Sequence, residues 1–234
     1  MVRIMITQLI RATKPIVFFL SLLTSCFAQT APSCDPPSTI REAAPEEIRA
    51  FFNGKRLQVL TFLGYSGAGY ENKGLMIEQA TRILEQFDPQ QTIVNIGATP
   101  EGIGAVYEVA KRKGFTTSGI VSTQAKENNV ILSPCVDLVF YVRDTTWGGF
   151  LPGAESLSPT STAMVENSDV VIAIGGGEVA RDELMAAKRA GKSVRFLPAD
   201  MNHRIAREKA LKKGQPPPTD FRGAAAITHG AGNP

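Results

Sequence analysis

The chain has 234 residues, 43% of them hydrophobic and 20% charged, which is the balance of a globular domain with one sizeable core. Its formal charge of +3 arises within residues 1–25, where Arg3, Arg11 and Lys14 meet no acid; the remainder carries 22 basic and 22 acidic residues. A neutral body gives no electrostatic case for a nucleic-acid partner.

The first segment has the form of an export signal. Basic residues precede PIVFFLSLLTS, an apolar stretch far shorter than the roughly twenty residues needed to span a bilayer. It ends in Leu23-Thr24-Ser25-Cys26, which resembles a bacterial lipobox. On that reading residues 1–25 are removed, Cys26 is lipidated, and the chain is a periplasmic or membrane-anchored lipoprotein. Plain cleavage after Cys26-Phe27-Ala28 and a buried apolar helix are the alternatives. Residues 26–50 then read as a tether, since FAQTAPSCDPPSTIREAAP carries Pro, Ser and Ala without hydrophobic periodicity.

A single domain is expected over 51–205. LQVLTFLG (57–64) is a dense apolar run ending in glycine, and a helical pattern through Leu75, Met76, Gln79, Ile83 and Leu84 follows. TIVNIG (92–97) leads into a helix over 102–114. FTTSGIVS (115–122) and DLVFYV (137–142) are further strands. DVVIAIG (169–175) precedes a helix at about 179–190, and SVRFLP (193–198) is the last strand. Continuous Val/Ile/Leu runs mark strands buried on both faces, and alternation with helices implies parallel crossovers. The expected fold is α/β: a Rossmann-like, doubly wound parallel sheet in three layers. Residues 143–160, with Trp147-Gly148-Gly149 and Pro152-Gly153, read as a long loop of the kind often tied to function. Residues 206–234, with a Pro triplet and a Gly/Ala-rich end, read as a flexible tail.

Three strand-to-helix turns are rich in glycine: Gly64-Tyr65-Ser66-Gly67, Gly97-Ala98-Thr99 through Gly102 and Gly104, and Gly175-Gly176-Gly177-Glu178-Val179-Ala180. Glycine admits positive φ and close ligand approach, and the N–H groups at a helix start suit a phosphate. On one sheet edge the three would form a phosphate site. The spacing is neither the dinucleotide fingerprint nor a Walker A loop, so an NAD-dependent oxidoreductase is not expected. Ser66 and Thr99 could bind phosphate or cap helices. Tyr65 and Tyr70 could stack on a base or pack. No Cys-x-x-Cys pair occurs and the histidines are two, His203 and His229, so no metal site and no cofactor are expected. Cys34 and Cys135 could pair in an oxidising compartment, or Cys135 could be a small buried hydrophobe.

Over Leu57–Ala199 the chain resembles the SLOG superfamily of Rossmann-like proteins, which includes the Lonely Guy phosphoribohydrolases, long described as lysine decarboxylase-like. The family motif Pro-Gly-Gly-x-Gly-Thr-x-x-Glu falls on Gly175 to Glu183; the paired glycines and the glutamate match, while the proline, third glycine and threonine do not. The resemblance implies a nucleotide ligand, a homodimer, and Glu183 as the catalytic acid or base of a nucleoside 5′-monophosphate phosphoribohydrolase. The family's arginine before the fifth strand has no counterpart in SLSPTSTAMVENS (156–168), and Arg143 or Arg181 would have to replace it. Arg181 is a candidate phosphate clamp, and Glu178 a candidate ligand contact; as first-turn acids, Glu178, Asp182 and Glu183 could equally serve the helix dipole. The departures favour a nucleotide-binding domain over an enzyme. The hydrolase is the first alternative, and a ligand-free structural or partner-binding domain the second.

Overall fold

The computed structural model describes residues 34–229. The expected signal sequence and Cys26 lie outside the described residues. One seven-stranded, wholly parallel sheet forms the frame: β1 (Thr39–Glu42), β2 (Gln58–Gly64), β3 (Thr92–Ile96), β4 (Thr116–Ser122), β5 (Leu138–Val142), β6 (Val170–Ile174) and β7 (Ser193–Leu197), in spatial order β1-β5-β4-β3-β2-β6-β7. From β2 the chain runs outward through β3 and β4 to β5, then returns to place β6 on the other side of β2. The order therefore reverses between β2 and β6, where open α/β sheets bind ligands.

Alternating side chains divide the core between two helical layers. Leu60 and Phe62 of β2 face a layer with α2 (Lys73–Leu84), α3 (Val106–Arg112) and α4 (Gln124–Glu127), where Met76, Leu84, Tyr107 and Ala125 are buried. Val59 and Leu63 face α1 (Pro45–Lys55), α5 (Pro159–Glu166) and α6 (Glu178–Arg189), where Ile48, Phe52, Met164 and Leu184 are buried. The doubly wound, three-layer architecture expected from the sequence is what forms.

Helix starts follow local chemistry. Asn72 caps α2 through its Oδ1, which accepts from Leu75 N at 2.8 Å. Ser158 caps α5 with Pro159 behind it. The segment expected as a loop over 143–160 thus ends in a helix start, whose short apolar pattern the sequence does not advertise. The helix expected over 102–114 begins with a 3₁₀ turn, Gly102–Ala105, before α3.

The domain is wider than 51–205. Within the expected tether, β1 pairs with β5 at the sheet edge, and α1 buries Ile48 and Phe52. The strand TIRE was not legible because all four residues are exposed, leaving no apolar alternation. The expected tail contains most of α7 (His203–Lys212), and α8 (Gly223–His229). Ala225 of α8 is fully buried, and its N–H donates to the Gly176 carbonyl at 3.1 Å. Cys34 and Cys135 form a disulfide, which ties the chain before β1 to the approach of β5.

Candidate functional site

The three glycine turns follow β2, β3 and β6 and open on one cleft of about 1000 Å³. The first contributes Gly64, Ser66 and Gly67; the second Gly97 and Thr99; the third Gly177, Glu178, Val179 and Ala180, with Glu183 one turn further along α6. Gly102, Gly104, Gly175, Gly176 and Arg181 are set back from it.

Space around the glycines differs, and Gly64, though it lines the cleft, leaves no room for a Cβ, which would lie 2.1 Å from Tyr70 Oη. A Cβ on Gly104 would lie 1.8 Å from the Thr99 carbonyl oxygen, and one on Gly102 would lie 2.0 Å from that of Tyr65. On Gly175 it would meet the Tyr65 ring at 2.6 Å, and on Gly176 the Ala180 Cβ at 2.5 Å. Packing of the protein on itself requires glycine at these four positions. Gly97 and Gly177 differ, because a Cβ there would meet nothing within 4 Å. They face the open cleft.

Polar groups sort in the same way. The Ser66 hydroxyl is exposed and caps nothing, since Asn72 caps α2. Thr99 Oγ1 accepts from Glu101 N at 3.2 Å, closing a local turn at the cleft wall. Tyr65 and Tyr70 are buried, 3% and 6% exposed, and both pack. Tyr70 Oη accepts from Tyr65 N at 3.2 Å and donates to the Ile174 carbonyl at 2.7 Å, joining the first turn to β6. Tyr65 Oη donates to the Arg222 carbonyl at 2.5 Å, and burial pushes its pKa up to about 12. His203 starts α7 away from the cleft, stacked on Phe221 with centroids 4.0 Å apart.

Neither candidate arginine reaches the cleft. The Arg181 guanidinium pairs with Asp182 at 2.8 Å and borders a smaller hollow of about 470 Å³ under the loop 148–155. Arg143 is exposed beyond β5, within electrostatic range of Glu42 on the edge strand. The cation at the cleft is Lys209 of α7, whose Nζ donates to the Gly67 carbonyl at 2.9 Å. Sequence reasoning missed it because it falls in the expected tail; the Asn202 cap before an Ile205, Ala206, Lys209 spacing was the available signal.

Glu183 is 4% exposed and lines the cleft floor. Its Oε1 accepts from the Ser161 hydroxyl at 2.6 Å, and Ser161 Oγ in turn accepts from Gly149 N at 2.7 Å. Burial pushes its carboxyl up to about 7; the Ser161 bond pulls the other way, and the neighbouring Asp182 charge adds to the rise. Asp182 Oδ2 accepts from Phe150 N at 2.9 Å, so both α6 acids anchor the loop that follows β5. The start of α6 is thus acidic, with Glu178 exposed in its first turn, while the first-turn end of the cleft carries Lys209 and, also against Gly67, the Glu101 carboxylate. Lys209 attracts an anion there and Glu101 opposes it.

The geometry defines a Rossmann-like α/β domain with a glycine-lined cleft at its topological switch point, the fold that resemblance to the SLOG superfamily implies. No family model matches the chain, and no curated protein matches it. Solved structures do resemble it. The X-ray structure of TM1055 is 21% identical, covering 59% of this chain and 72% of its own at a TM-score of 0.41. Two structures of the molybdenum cofactor carrier protein from Chlamydomonas reinhardtii are 20% and 19% identical, both at a TM-score of 0.44. They cover 60% and 74% of this chain, and 76% and 95% of their own. At such identities the likeness is one of fold alone.

Proposed function

We propose that this domain binds a small phosphate-bearing ligand of the nucleotide class in the cleft between β2 and β6. One observation carries the reading: all three glycine turns share a single cleft that also holds the Ser66 hydroxyl and the Lys209 ammonium. The phosphate is placed at the Ser66–Gly67 end, because the Lys209 ammonium stands there beside Glu101, while Glu178 at the start of α6 brings no cation to the cleft. Isothermal calorimetry with AMP, ribose 5-phosphate and inorganic phosphate tests it. Binding weakened several-fold in Lys209→Ala supports the reading, and no heat from any of the three refutes it. The cofactor named for the Chlamydomonas carrier protein joins the panel as a competing ligand.

A second reading rests on Glu183. A buried carboxyl with its pKa raised to about 7 is protonated in part at neutral pH, and at the cleft floor it could act as the acid of glycosidic hydrolysis. Release of free adenine from AMP, abolished in Glu183→Gln, supports the hydrolase; intact AMP after saturating binding leaves a binding domain. For the cell biology, the basic start, the apolar run and the Cys34–Cys135 disulfide support export, with lipid at Cys26. Labelled palmitate incorporated into the wild type and not into Cys26→Ser tests the anchor. Sedimentation of the soluble domain tests the homodimer that the resemblance implies.

A further inference from the structure

Among the described residues seven large hydrophobic side chains are exposed, and three of them, Val130, Ile131 and Trp147, border the same cleft. Their exposures are 42%, 79% and 54%. They reach it from opposite faces of the sheet. Val130 and Ile131 follow α4, whose Ala125 is buried in one layer, while Trp147 leads into contacts with α5 and α6 in the other. An indole left half in water forfeits its burial, so its place at a ligand cleft asks for an occupant.

The ring stands on a fixed backbone. Ser122 Oγ donates to the Thr146 carbonyl at 2.6 Å, Thr146 N donates to Asp144 Oδ1 at 2.8 Å, and Gly149 N donates to Ser161 Oγ at 2.7 Å. Opposite, Asn129 turns the chain with φ 51°, and Ser133 N donates to the Ala98 carbonyl at 2.9 Å, which ties this wall to the second glycine turn. Trp147 lies between Thr146, whose carbonyl accepts from Ser122 at the end of β4, and Gly148, where a Cβ would lie 3.0 Å from Val179 of α6, whereas Lys209 sits at the turn after β2. The indole and the ammonium thus border the cleft from different elements, one for a ring and one for a phosphate.

We propose that Trp147, with Val130 and Ile131, is the stacking platform for a flat aromatic ring, so that the cleft selects an aromatic nucleoside phosphate over a plain sugar phosphate. The inference rests on the cleft being the phosphate site proposed above. It fixes the ligand's second recognition element and its direction in the cleft: ring at Trp147, phosphate at Lys209.

Trp147 is the single tryptophan of the chain, so its emission reports on this cleft alone. The experiment titrates AMP, adenosine, ribose 5-phosphate and inorganic phosphate into the wild type, following calorimetric heat and tryptophan emission together. Stacking predicts that AMP changes the emission and that ribose 5-phosphate binds without doing so. Trp147→Ala then weakens AMP about tenfold, leaves ribose 5-phosphate unchanged, and Trp147→Phe restores most of the affinity. AMP heat with unaltered emission and unaltered affinity in Trp147→Ala overturns the stacking platform while the phosphate cleft stands. Adenosine that quenches while neither sugar phosphate nor phosphate binds retains the platform and removes the phosphate reading. Silence from all four ligands overturns both.

Discussion

The Glu183 carboxyl offers a test that needs no ligand. It is buried, its one hydrogen bond comes from Ser161, and its pKa stands at about 7 against an ordinary 4.5. The folded chain therefore binds this proton more tightly than the unfolded chain does. Stability from this group is complete below about pH 4.5 and drains away as pH rises through 7, because ionisation leaves a charge out of water. At about 1.4 kcal/mol per tenfold difference in proton affinity, the swing is about 3 kcal/mol. Glu183→Gln keeps the oxygen that accepts from Ser161 and carries no charge at any pH. Urea unfolding of both proteins at pH 4.5, 6, 7 and 8 reads the difference directly. The substituted protein is expected to gain on the wild type by about 3 kcal/mol between the lowest and highest pH, with the change centred between 5 and 7. Parallel profiles for the two proteins would refute the buried, high-pKa carboxyl and with it the acid role at the cleft floor.

Four further outcomes follow from the same geometry. Gly104→Ala drives a Cβ into the Thr99 carbonyl and lowers unfolding free energy by about 3 kcal/mol or more, while Gly177→Ala, which meets open space, stays within about 1 kcal/mol by urea melts. Reduction of Cys34–Cys135, which spans 101 residues, or Cys34→Ser, costs about 4 kcal/mol and removes the difference between oxidised and reduced melting curves. Lys209→Ala leaves the melting temperature unchanged, since the side chain is exposed, but weakens inorganic phosphate several-fold in low salt, an effect that 0.5 M NaCl flattens. Asp144 is buried, yet N–H donors from Thr160 and Thr146 outweigh that burial and hold its carboxyl below the ordinary range. Its contribution is therefore present above about pH 4 and lost on acidification. Asp144→Ala is expected to destabilise at neutral pH and to shift Trp147 emission by freeing its loop.

The polarity of the cleft separates this chain from the motif it resembles. Where that motif has its third glycine and its threonine, Val179 and Ala180 stand here, and Glu178 makes the first helical turn acidic. The cation of the cleft, Lys209, comes from a helix beyond the last strand.

What the sequence determined alone was whatever a run of adjacent residues can encode. Strands β2 to β6 are legible because each buries nearly every side chain, which writes a nearly continuous apolar run, and the turns after β2, β3 and β6 are legible from their clustered glycines; β7, exposed or half-buried throughout, is legible from its short apolar pattern alone. The edge strand β1 was not, since its four exposed residues carry no pattern, and α8 hides in an alanine-rich end whose burial depends on α6. Only the tertiary structure decided which glycines have open space before them, because that turns on what stands opposite each Cα: Thr99 for Gly104, Tyr65 for Gly102 and Gly175, open cleft for Gly97 and Gly177. The same holds for Lys209 beside Gly67, for Ser161 on Glu183, and for Cys34 with Cys135 across 101 residues. Periodicity reports one chain segment's preference for a layer; a site is made where distant segments meet, and that meeting is fixed by strand order and packing.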